Sequence, residues 1–325
     1  MLQKIFTLIL ILAVLAALLL PACSVTPAPQ SETRTVTDDS GRQVSLPMQP
    51  KRIVSLTYGT DEILTALVST DRIASYSKYA GDDGISFLTK DEVAKVGRTV
   101  DMEPEHILSF APDLVIASTS TPMQTVEVLT HSGIPVYVSA IPTTVEEMKE
   151  KVRGVAKAVH EEEQGEALVS DMDLRLASLE EKLSQIPPEK ERVALGMSFR
   201  GILGKKGTLF SDVLRLAHVK DGAAVYEVPK GADAYLSLEI LPQINPDVIL
   251  LPTWRVKAGD DTKAFEEGLL ANPALSQVTA VKERRLVPFS EKYKYVMSQH
   301  VVDAVEAAAR AVYPEVFGTS IAYLD

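Results

Sequence analysis

The sequence predicts an α/β protein with two parallel-sheet lobes joined by one long helix. A short pattern that occurs twice supports this prediction. Glu105 and Glu239 each stand seven residues before a Pro-Asp pair, with an amphipathic segment between them and an all-apolar run after them. This order indicates a short helix stopped by proline and followed by a buried parallel strand. The same unit in both halves of the chain indicates two similar lobes.

The segment between these two units, residues 161–186, predicts a single long helix. Its apolar side chains recur at spacings of three or four residues, which places them on one stripe. They are Leu168, Met172, Leu176, Leu179, Leu183 and Ile186. Glutamates at 161–163 suit the positive end of the helix dipole, and Pro187-Pro188 blocks continuation. An ordinary surface helix would show the same pattern, but its place between two similar units favours a connector.

Composition restricts the classes of function. The chain has 325 residues, 46% of them hydrophobic and 24% charged, which is enough for two globular domains. Its formal net charge of -11, without any basic run, argues against nucleic acid as a partner. It also disfavours binding of the folded part to anionic membrane surfaces. A small anionic ligand held by a few local arginines remains possible.

Residues 1–22 are predicted to be a lipoprotein signal peptide. Lys4 precedes an apolar run, residues 5–20, that is shorter than the ~20 residues a spanning helix needs. The run ends at Leu20-Pro21-Ala22-Cys23, which resembles the lipobox of bacterial lipoproteins, where the cysteine receives a lipid. Cys23 is the only cysteine, so no intrachain disulfide can form. An uncleaved anchor helix and a plain secretory signal are the alternatives.

After Cys23 the polar, proline-containing residues 23–33 predict a flexible lipidated tether. The folded body would then be exported and held at the cell envelope, at the outer face of the cytoplasmic membrane or in the periplasm. The lipid anchor would be its only membrane contact.

The first lobe is expected at residues 34–160. Asp39-Ser40-Gly41, between two alternating runs, predicts a hairpin across residues 35–46. Apolar runs and helical periodicities then alternate, which indicates βαβ units. The predicted strands are 53–56, 73–76, 114–117 and 135–138, and the predicted helices are 61–67, 123–131 and 144–160.

The second lobe is expected at residues 187–325, where the alternation restarts. Residues 198–207 read as a loop. The predicted strands are 192–197, 248–251 and 285–288, and the predicted helices are 209–217, 264–270 and 298–312. Ligands of open parallel sheets bind beyond the carboxyl ends of the strands. These ends would bring Tyr58, Tyr76, Ser118, residues 198–200 and residues 253–255 together if the lobes face each other.

Across nearly its whole mature length the chain resembles the solute-binding proteins of ABC importers for ferric siderophores, haem and cobalamin. The resemblance is carried by the lipobox and by six further segments in this order. They are DDSGRQVSLPMQPKRIVSLTYGTDEIL, VGRTVDMEPEHILSFAPDLVIAS, SGIPVYVS, GTLFSDVLRLA, LSLEILPQINPDVILL and NPALSQVTAVKERRLVPF. The resemblance implies two α/β lobes bridged by one rigid helix, a shallow ligand cleft between them and small closure motions.

The resemblance also implies a partner, the dimeric membrane permease of an ABC transporter. In the family one glutamate on each lobe docks into arginine pockets of the permease, and Glu105 and Glu239 hold the matching positions. The alternative is that each carboxylate only stabilises the first turn of its helix, by ~0.3–1 kcal/mol. That alternative explains one glutamate, but it does not explain the equal spacing in both lobes.

Candidate ligand-binding residues lie at the expected strand ends. Trp254, the only tryptophan, and Arg255 follow an apolar strand, and they suit a large, flat or anionic chelate. Arg200 has the equivalent place after residues 194–198, and Arg98 precedes the first Glu motif. Tyr58 and Tyr76 are candidate walls of the first lobe, whereas Tyr293 and Tyr295 are candidates on the other side. The alternatives are solvated arginines, a surface tryptophan and tyrosines packed in the core.

No metal site and no cofactor are expected. The five histidines are scattered without metal-ligand spacing, although His300 could in principle meet a haem iron. The chain lacks a Gly-rich phosphate loop and a G-x-S-x-G elbow, so an enzyme is not expected. An adhesin would not need two matched lobes. We expect a monomeric binding protein for a ferric siderophore, with cobalamin or a related corrinoid as the alternative and haem third.

Overall fold

The strands predicted from the sequence are present in the computed structural model, which describes residues 32–203, 207–226 and 235–318. The signal peptide, Cys23 and nearly all of the tether lie outside the described residues. The strands are β1 (Thr33–Thr37), β2 (Gln43–Pro47), β3 (Ile53–Ser55), β4 (Ile73–Ser77), β5 (Thr99–Val100), β6 (Leu114–Ser118), β7 (Val136–Ser139), β8 (Val193–Ser198), β9 (Gly201–Leu203), β10 (Lys220–Asp221), β11 (Tyr235–Leu236), β12 (Val248–Leu251) and β13 (Leu286–Pro288).

The helices also follow the predicted order, with bounds that differ by a few residues. They are α1 (Tyr58–Leu67), α2 (Lys90–Val96), α3 (Pro104–Ser109), α4 (Met123–His131), α5 (Val145–Val159), α6 (Glu162–Leu183), α7 (Leu209–Leu216), α8 (Leu241–Ile244), α9 (Thr262–Ala271), α10 (Thr279–Lys282), α11 (Glu291–Lys294), α12 (Val301–Val312) and α13 (Pro314–Phe317). Of these described helices, none is long and apolar enough to cross a membrane.

The first lobe contains a five-stranded parallel sheet in the order β5-β4-β3-β6-β7. The predicted hairpin is also present, because β1 pairs antiparallel with β2. Asp38 closes the turn, where its carboxylate accepts hydrogen bonds from Ser40 and from the side chain and backbone of Arg42. Gly41 has a φ of 85°, a conformation that suits glycine.

The second lobe has the strand order β11-β9-β8-β12-β13, with β10 also beside β8. Strands β8, β12 and β13 are parallel, as predicted. Residues 201–203, which were expected in a loop, instead form β9 and return antiparallel to β8. The pairing of Ser198 with Gly201 leaves Phe199 and Arg200 at the tip of a tight turn, at the carboxyl end of β8.

Helix α6 lies in sequence between the two sheets and ends at Leu183, before the predicted Ile186. Met172, Leu179 and Leu183, from the predicted stripe, are buried. The helix packs against α5 of the first lobe and α12 of the second. Gly165 permits the approach to α5, because a Cβ added there would lie 2.4 Å from the Cβ of Ala156.

The hydrophobic core is arranged in three layers. One cluster contains buried residues from strands of both lobes and from helices α5, α6, α7 and α12. A second cluster covers the outer face of the first sheet, and a third covers the outer face of the second sheet. Side chains alternate as a pleated strand requires, since Ile53, Leu114 and Ile116 face the shared cluster whereas Val54 and Val115 face outward.

A buried polar network joins α1 of the first lobe to residues 295–299 of the second. The Tyr58 hydroxyl donates to the carbonyl of Tyr295 (2.6 Å), and the Ser298 hydroxyl donates to the Glu62 carboxylate (2.5 Å). Lys151 donates to the carbonyl of Met297 (3.0 Å). Opening the interface would break these three hydrogen bonds between buried groups, which favours contact between the lobes.

Candidate functional site

A cavity of about 640 Å³ lies where the carboxyl ends of both sheets meet. Most lining residues follow β3 and β4 in the first lobe or β8, β12 and β13 in the second. The exceptions are Ser198, the last residue of β8, and Tyr235 in β11. The lining residues are Tyr58, Tyr79, Ile85, Ser198, Phe199, Arg200, Tyr235, Trp254, Val256, Lys257, Asp260, Glu291 and Tyr295. This is the location at which open α/β sheets bind ligands, and the volume suits a small molecule.

Tyrosines form the wall contributed by the first lobe. The Thr57 side chain caps the N-terminus of α1, which fixes the position of Tyr58 directly after β3. Tyr58 and Tyr79 pack edge to face, with 6.5 Å between the ring centroids. Burial raises the pKa of Tyr58, so its hydroxyl stays protonated and serves as a hydrogen-bond donor rather than a phenolate.

The β8–β9 turn forms the opposite wall. It carries Arg200, whose guanidinium carbon lies 5.9 Å from the centre of the Tyr235 ring. Tyr235 also forms a side-chain hydrogen bond with Tyr295. Burial, with this hydrogen bond as a second cause, raises the pKa of Tyr295, so this phenol is neutral as well. Phe199 packs edge to face on Phe265, with 5.7 Å between centroids.

The charged groups at the cavity are few and of both signs. Arg200 and Lys257 are cationic, whereas Asp260 and Glu291 are anionic. The Asp260 carboxylate accepts hydrogen bonds from the backbone nitrogens of Val256 and Lys257 (3.0 and 2.8 Å), which occupies one of its oxygens in holding the loop. The cavity therefore offers six aromatic rings, two cations and little uncommitted negative charge.

The fold matches known proteins. A sequence model of the periplasmic binding protein family matches residues 53–293. The chain belongs to this family. The expectation from the sequence motifs is thereby confirmed, and the family comprises substrate-binding proteins rather than enzymes.

Relatives from Bacillus subtilis include two lipoproteins. The binding protein is 26% identical to the uncharacterized ABC transporter substrate-binding lipoprotein YvrC, and the match covers 93% of this chain and 96% of that one. It is 27% identical to the probable siderophore-binding lipoprotein YfiY, over 82% of this chain and 85% of that one.

Solved structures of similar proteins show the same fold. The haem-binding protein RhuT of Roseiflexus, in apo form, has a TM-score of 0.66 at 22% identity and covers 82% of this chain and 99% of its own. The molybdate-binding protein MolA of Haemophilus influenzae, bound to molybdate, has a TM-score of 0.69 at 19% identity and covers 89% of this chain and 94% of its own. At these identities the likeness concerns the fold alone.

The structure of the binding protein places four predicted ligand residues at the cavity, namely Tyr58, Arg200, Trp254 and Tyr295. Two predicted tyrosines lie elsewhere. Tyr76 is inside β4 and fully buried, and its hydroxyl hydrogen-bonds the Thr65 hydroxyl (2.8 Å). Tyr293 is buried between the rings of Phe87 and Phe289. The expectation that these two form cleft walls is corrected.

Two predicted arginines are also outside the cavity. Arg98 is exposed and lies over the ring of Phe110, beside a separate surface depression. The Arg255 side chain is 68% exposed and points toward Asp261, which is 3.9 Å away. Arg255 therefore faces solvent, whereas the preceding residue, Trp254, lines the cavity. Of the three predicted arginines, only Arg200 lines the cavity.

Sequence reasoning missed several lining residues. They are Tyr79, Ile85, Tyr235, Val256, Lys257, Asp260 and Glu291. Ser198 and Phe199 also line the cavity, and both belong to residues 198–200, which were expected at the cleft. Tyr235 and Glu291 had no signal, since they lie in polar stretches without periodicity.

Glu105 and Glu239 are both exposed and occupy equivalent positions in the two lobes. Glu105 is in the first turn of α3, which begins soon after β5, and Glu239 is in the 3-10 turn Leu238–Ile240, directly after β11. Strands β5 and β11 are the edge strands of their sheets, and both run toward the cavity edge. Each glutamate therefore follows an edge strand that runs in the same direction as the strands leading to the cavity.

Within the described ranges, no group of three or more His, Cys, Asp or Glu side chains is arranged to hold a metal ion. His300 does not line the cavity. Its ring stacks on Phe87, with 4.3 Å between centroids, and its Nδ1 lies 2.6 Å from Asp303. The sequence-based possibility that His300 meets a haem iron is corrected by these contacts.

Proposed function

We propose that this chain is an extracytoplasmic, lipid-anchored binding protein that delivers an iron chelate, specifically a ferric siderophore, to an ABC import permease. The observation that carries the proposal is the cavity between the two lobes, with neutral phenols and aromatic faces around Arg200. Ferric siderophores present anionic oxygens around the metal and apolar carbon at the rim. Arg200 suits the oxygens through paired, charge-assisted hydrogen bonds, and the rings suit the rim.

The relatives support this choice of chelate. YfiY is described as a probable siderophore-binding lipoprotein, and its similarity extends over most of both chains. The second lining cation, Lys257, adds to the preference for an anionic ligand. Because Tyr58 and Tyr295 are neutral, and the Tyr58 proton is already donated to the Tyr295 carbonyl, neither phenol would act as an anionic ligand to iron, and their rings would contact the chelate instead.

A flat macrocycle, either cobalamin or a related corrinoid or haem, is the second candidate. The observation that favours it is the number of rings, because six aromatic side chains can stack on a planar ligand. Its metal would receive no histidine from the lining residues, all of which are named above.

The mode of binding would involve little lobe movement. Helix α6 would act as a single rigid connector, and the network of Tyr58, Glu62, Lys151 and Ser298 would hold the lobes in contact near the cavity. A connector made of one helix provides no pair of flexible strands for a large hinge motion. In this proposal the lobes are residues 34–160 and 187–325, and the protein acts as a monomer.

Glu105 and Glu239 would dock into the permease dimer, one carboxylate to each subunit. Their exposure and their equivalent places after the edge strands support this role. Reversing both charges (Glu105→Lys with Glu239→Lys) should leave chelate affinity unchanged and abolish uptake by cells. The matched control reverses two other exposed glutamates, Glu127 and Glu267, and should transport normally. Normal uptake by the Glu105/Glu239 variant would exclude the docking role.

The anchor is tested separately, because it lies outside the described residues. Lipidation at Cys23 predicts that cells incorporate labelled fatty acid into the protein and that Cys23→Ser abolishes the label. Absence of label from the unsubstituted protein would leave the uncleaved anchor and the plain secretory signal as the remaining explanations.

The proposed ligand is tested by thermal unfolding of the soluble body from Ser24 onward. The panel contains ferric hydroxamate, catecholate and carboxylate siderophores, haem, cobalamin, molybdate and free divalent metals. A ligand at about 100 times its Kd should stabilise the folded state by about 2.7 kcal/mol. Stabilisation by one siderophore class is expected. Stabilisation by haem or cobalamin alone would select the second candidate, and a response only to molybdate or bare metal would refute both.

A further inference from the structure

A buried ion pair lies beneath the second-lobe wall of the cavity. Glu291 and Lys294, one turn apart in α11, are almost inaccessible to solvent, and Lys294 Nζ lies 3.2 Å from Glu291 Oε1. The same ammonium donates to the carbonyl of Met197 in β8 (2.8 Å) and to the carbonyl of Leu251 in β12 (3.0 Å). Lys294 thus ties α11 to the carboxyl ends of two neighbouring strands.

The Glu291 carboxylate holds the segment that follows β12. One oxygen accepts from the Trp254 backbone nitrogen (2.7 Å) and from the backbone nitrogen and hydroxyl of Thr253 (both 3.0 Å). The other accepts from Lys294 and, at 3.3 Å, from the Thr253 nitrogen. Both oxygens are therefore engaged by the protein. Although Glu291 borders the cavity, its bonds orient Thr253 and Trp254 instead of presenting charge to a ligand.

The Trp254 side chain crosses to the first lobe. Its indole nitrogen donates to the Asp82 carboxylate, at 3.2 and 3.4 Å from the two oxygens. The ring lies directly against the backbone of Gly84, where an added Cβ would be 1.8 Å from Trp254 Cδ1. Asp82 itself is held by the Gly84 nitrogen (2.9 Å). Because the indole fits only against glycine and finds an acceptor beside it, this contact depends on where the Trp254 backbone is placed.

We propose that Glu291 and Lys294 are positioning residues that hold Trp254 across the cleft against Asp82 and Gly84, and so fix one wall of the ligand cavity. This inference rests on the proposed function in one respect, namely that the cavity is the site that binds the chelate. A buried pair could instead serve stability alone. A positioning role and a purely stabilising role differ in their effect on the surroundings of Trp254. Because Trp254 is the only tryptophan in the chain, the fluorescence of the protein reports directly on those surroundings.

The test uses the full-length chain in detergent, without ligand, and measures Trp254 emission and its quenching by acrylamide. The double variant Glu291→Gln/Lys294→Met removes both charges while keeping similar side-chain volumes, which avoids leaving one buried charge unpaired. We expect emission at longer wavelength and stronger quenching. Asp82→Ala, which removes the acceptor on the other lobe and leaves the buried pair intact, should shift emission in the same direction.

The matched control is Lys149→Met. Lys149 is another buried lysine, paired with Asp173 at 2.5 Å and Glu146 at 2.7 Å, and it lies outside the cavity. This variant should lower stability without changing emission or quenching. Unchanged Trp254 emission in the folded double variant and in Asp82→Ala would overturn the proposal, and so would an equal shift in Lys149→Met.

A second measurement connects the wall to binding. With a ferric trihydroxamate chelate as the probe, the double variant and Asp82→Ala should each raise the Kd about tenfold, whereas Lys149→Met should not change it. An unchanged Kd in both variants would refute the role of the pair in shaping the site. Failure of the unsubstituted protein to bind any chelate would count against the proposed function, and the emission data would still decide the positioning role.

Discussion

Gly59 provides a sharp test of the contact between the two lobes, because two physical effects of its substitution have opposite signs. It lies in the first turn of α1, where a Cβ would be 2.3 Å from the carbonyl oxygen of Met297 and 2.6 Å from its Cβ. These atoms belong to the second lobe, in the same segment that receives hydrogen bonds from Tyr58 and Lys151. The Gly59→Ala variant should therefore be strained at this interface.

The magnitude follows from comparing the two effects. Forcing a methyl group into a packed interface costs about 1–3 kcal/mol, and the obstacle here is backbone, which cannot rotate away. Replacing glycine by alanine within a helix contributes at most about 1 kcal/mol in the other direction. The steric effect exceeds the helix propensity, so we expect Gly59→Ala to lower the free energy of unfolding by about 1–2 kcal/mol.

The measurement is urea unfolding of the soluble body, with Gly268→Ala as the matched control. Gly268 is an exposed glycine in α9 with no atom within 4 Å of an added Cβ, so only the propensity applies. That control should gain about 0.5–1 kcal/mol. If Gly59→Ala is stabilised as much as the control, α1 is not pressed against Met297 and the predicted contact between the lobes is refuted.

Two further predictions concern buried polar groups of the first lobe. Burial raises the pKa of the Asp61 carboxyl to about 7, although Ser55 and Ser77 hydrogen-bond it. The folded state therefore keeps a proton that the unfolded chain loses, and this contribution to stability disappears as the pH rises through about 7. In urea unfolding, the free energy of unfolding should fall between about pH 5 and pH 8, and Asp61→Asn should reduce this fall by about 3 kcal/mol. An unchanged dependence on pH in the variant would contradict the raised pKa of Asp61. Tyr76→Phe should cost about 1 kcal/mol through its lost bond with Thr65 and leave the chelate Kd unchanged in calorimetric titration, whereas a weakened chelate would return Tyr76 to the cavity wall.

The regular elements were predictable because their signals are local. The apolar run at β12 was assigned with its observed bounds, as was helix α4. The stripe through Met172 and Leu183 identified α6, since helical spacing over many residues has no strand counterpart. In each of these elements one set of side chains is buried against a sheet or a neighbouring helix. Such burial produces a regular spacing of apolar residues that can be recognised in the sequence.

The cavity was harder to predict because it depends on differences of one or two residues. Tyr76 was placed at the end of β4, but the strand continues through Ser77, so Tyr76 lies inside the sheet and Tyr79 reaches the cavity. Tyr293 and Tyr295 are two residues apart at a helix end, and only Tyr295 faces the cavity. Arg200 was placed correctly, but its position depends on the β8–β9 turn, which the sequence did not reveal.

Calorimetric titration of the soluble body with ferric siderophores of each class is the most direct test that the cavity binds an iron chelate. It should be run on the unsubstituted protein, on Arg200→Ala and on Arg98→Ala, which removes the same side chain from an exposed position outside the cavity. We expect one siderophore class to bind in a one-to-one complex. Arg200→Ala should raise its Kd about tenfold to a hundredfold, and Arg98→Ala should leave it unchanged. If no siderophore binds, or if the two substitutions have equal effects, the cavity is not the binding site of an iron chelate.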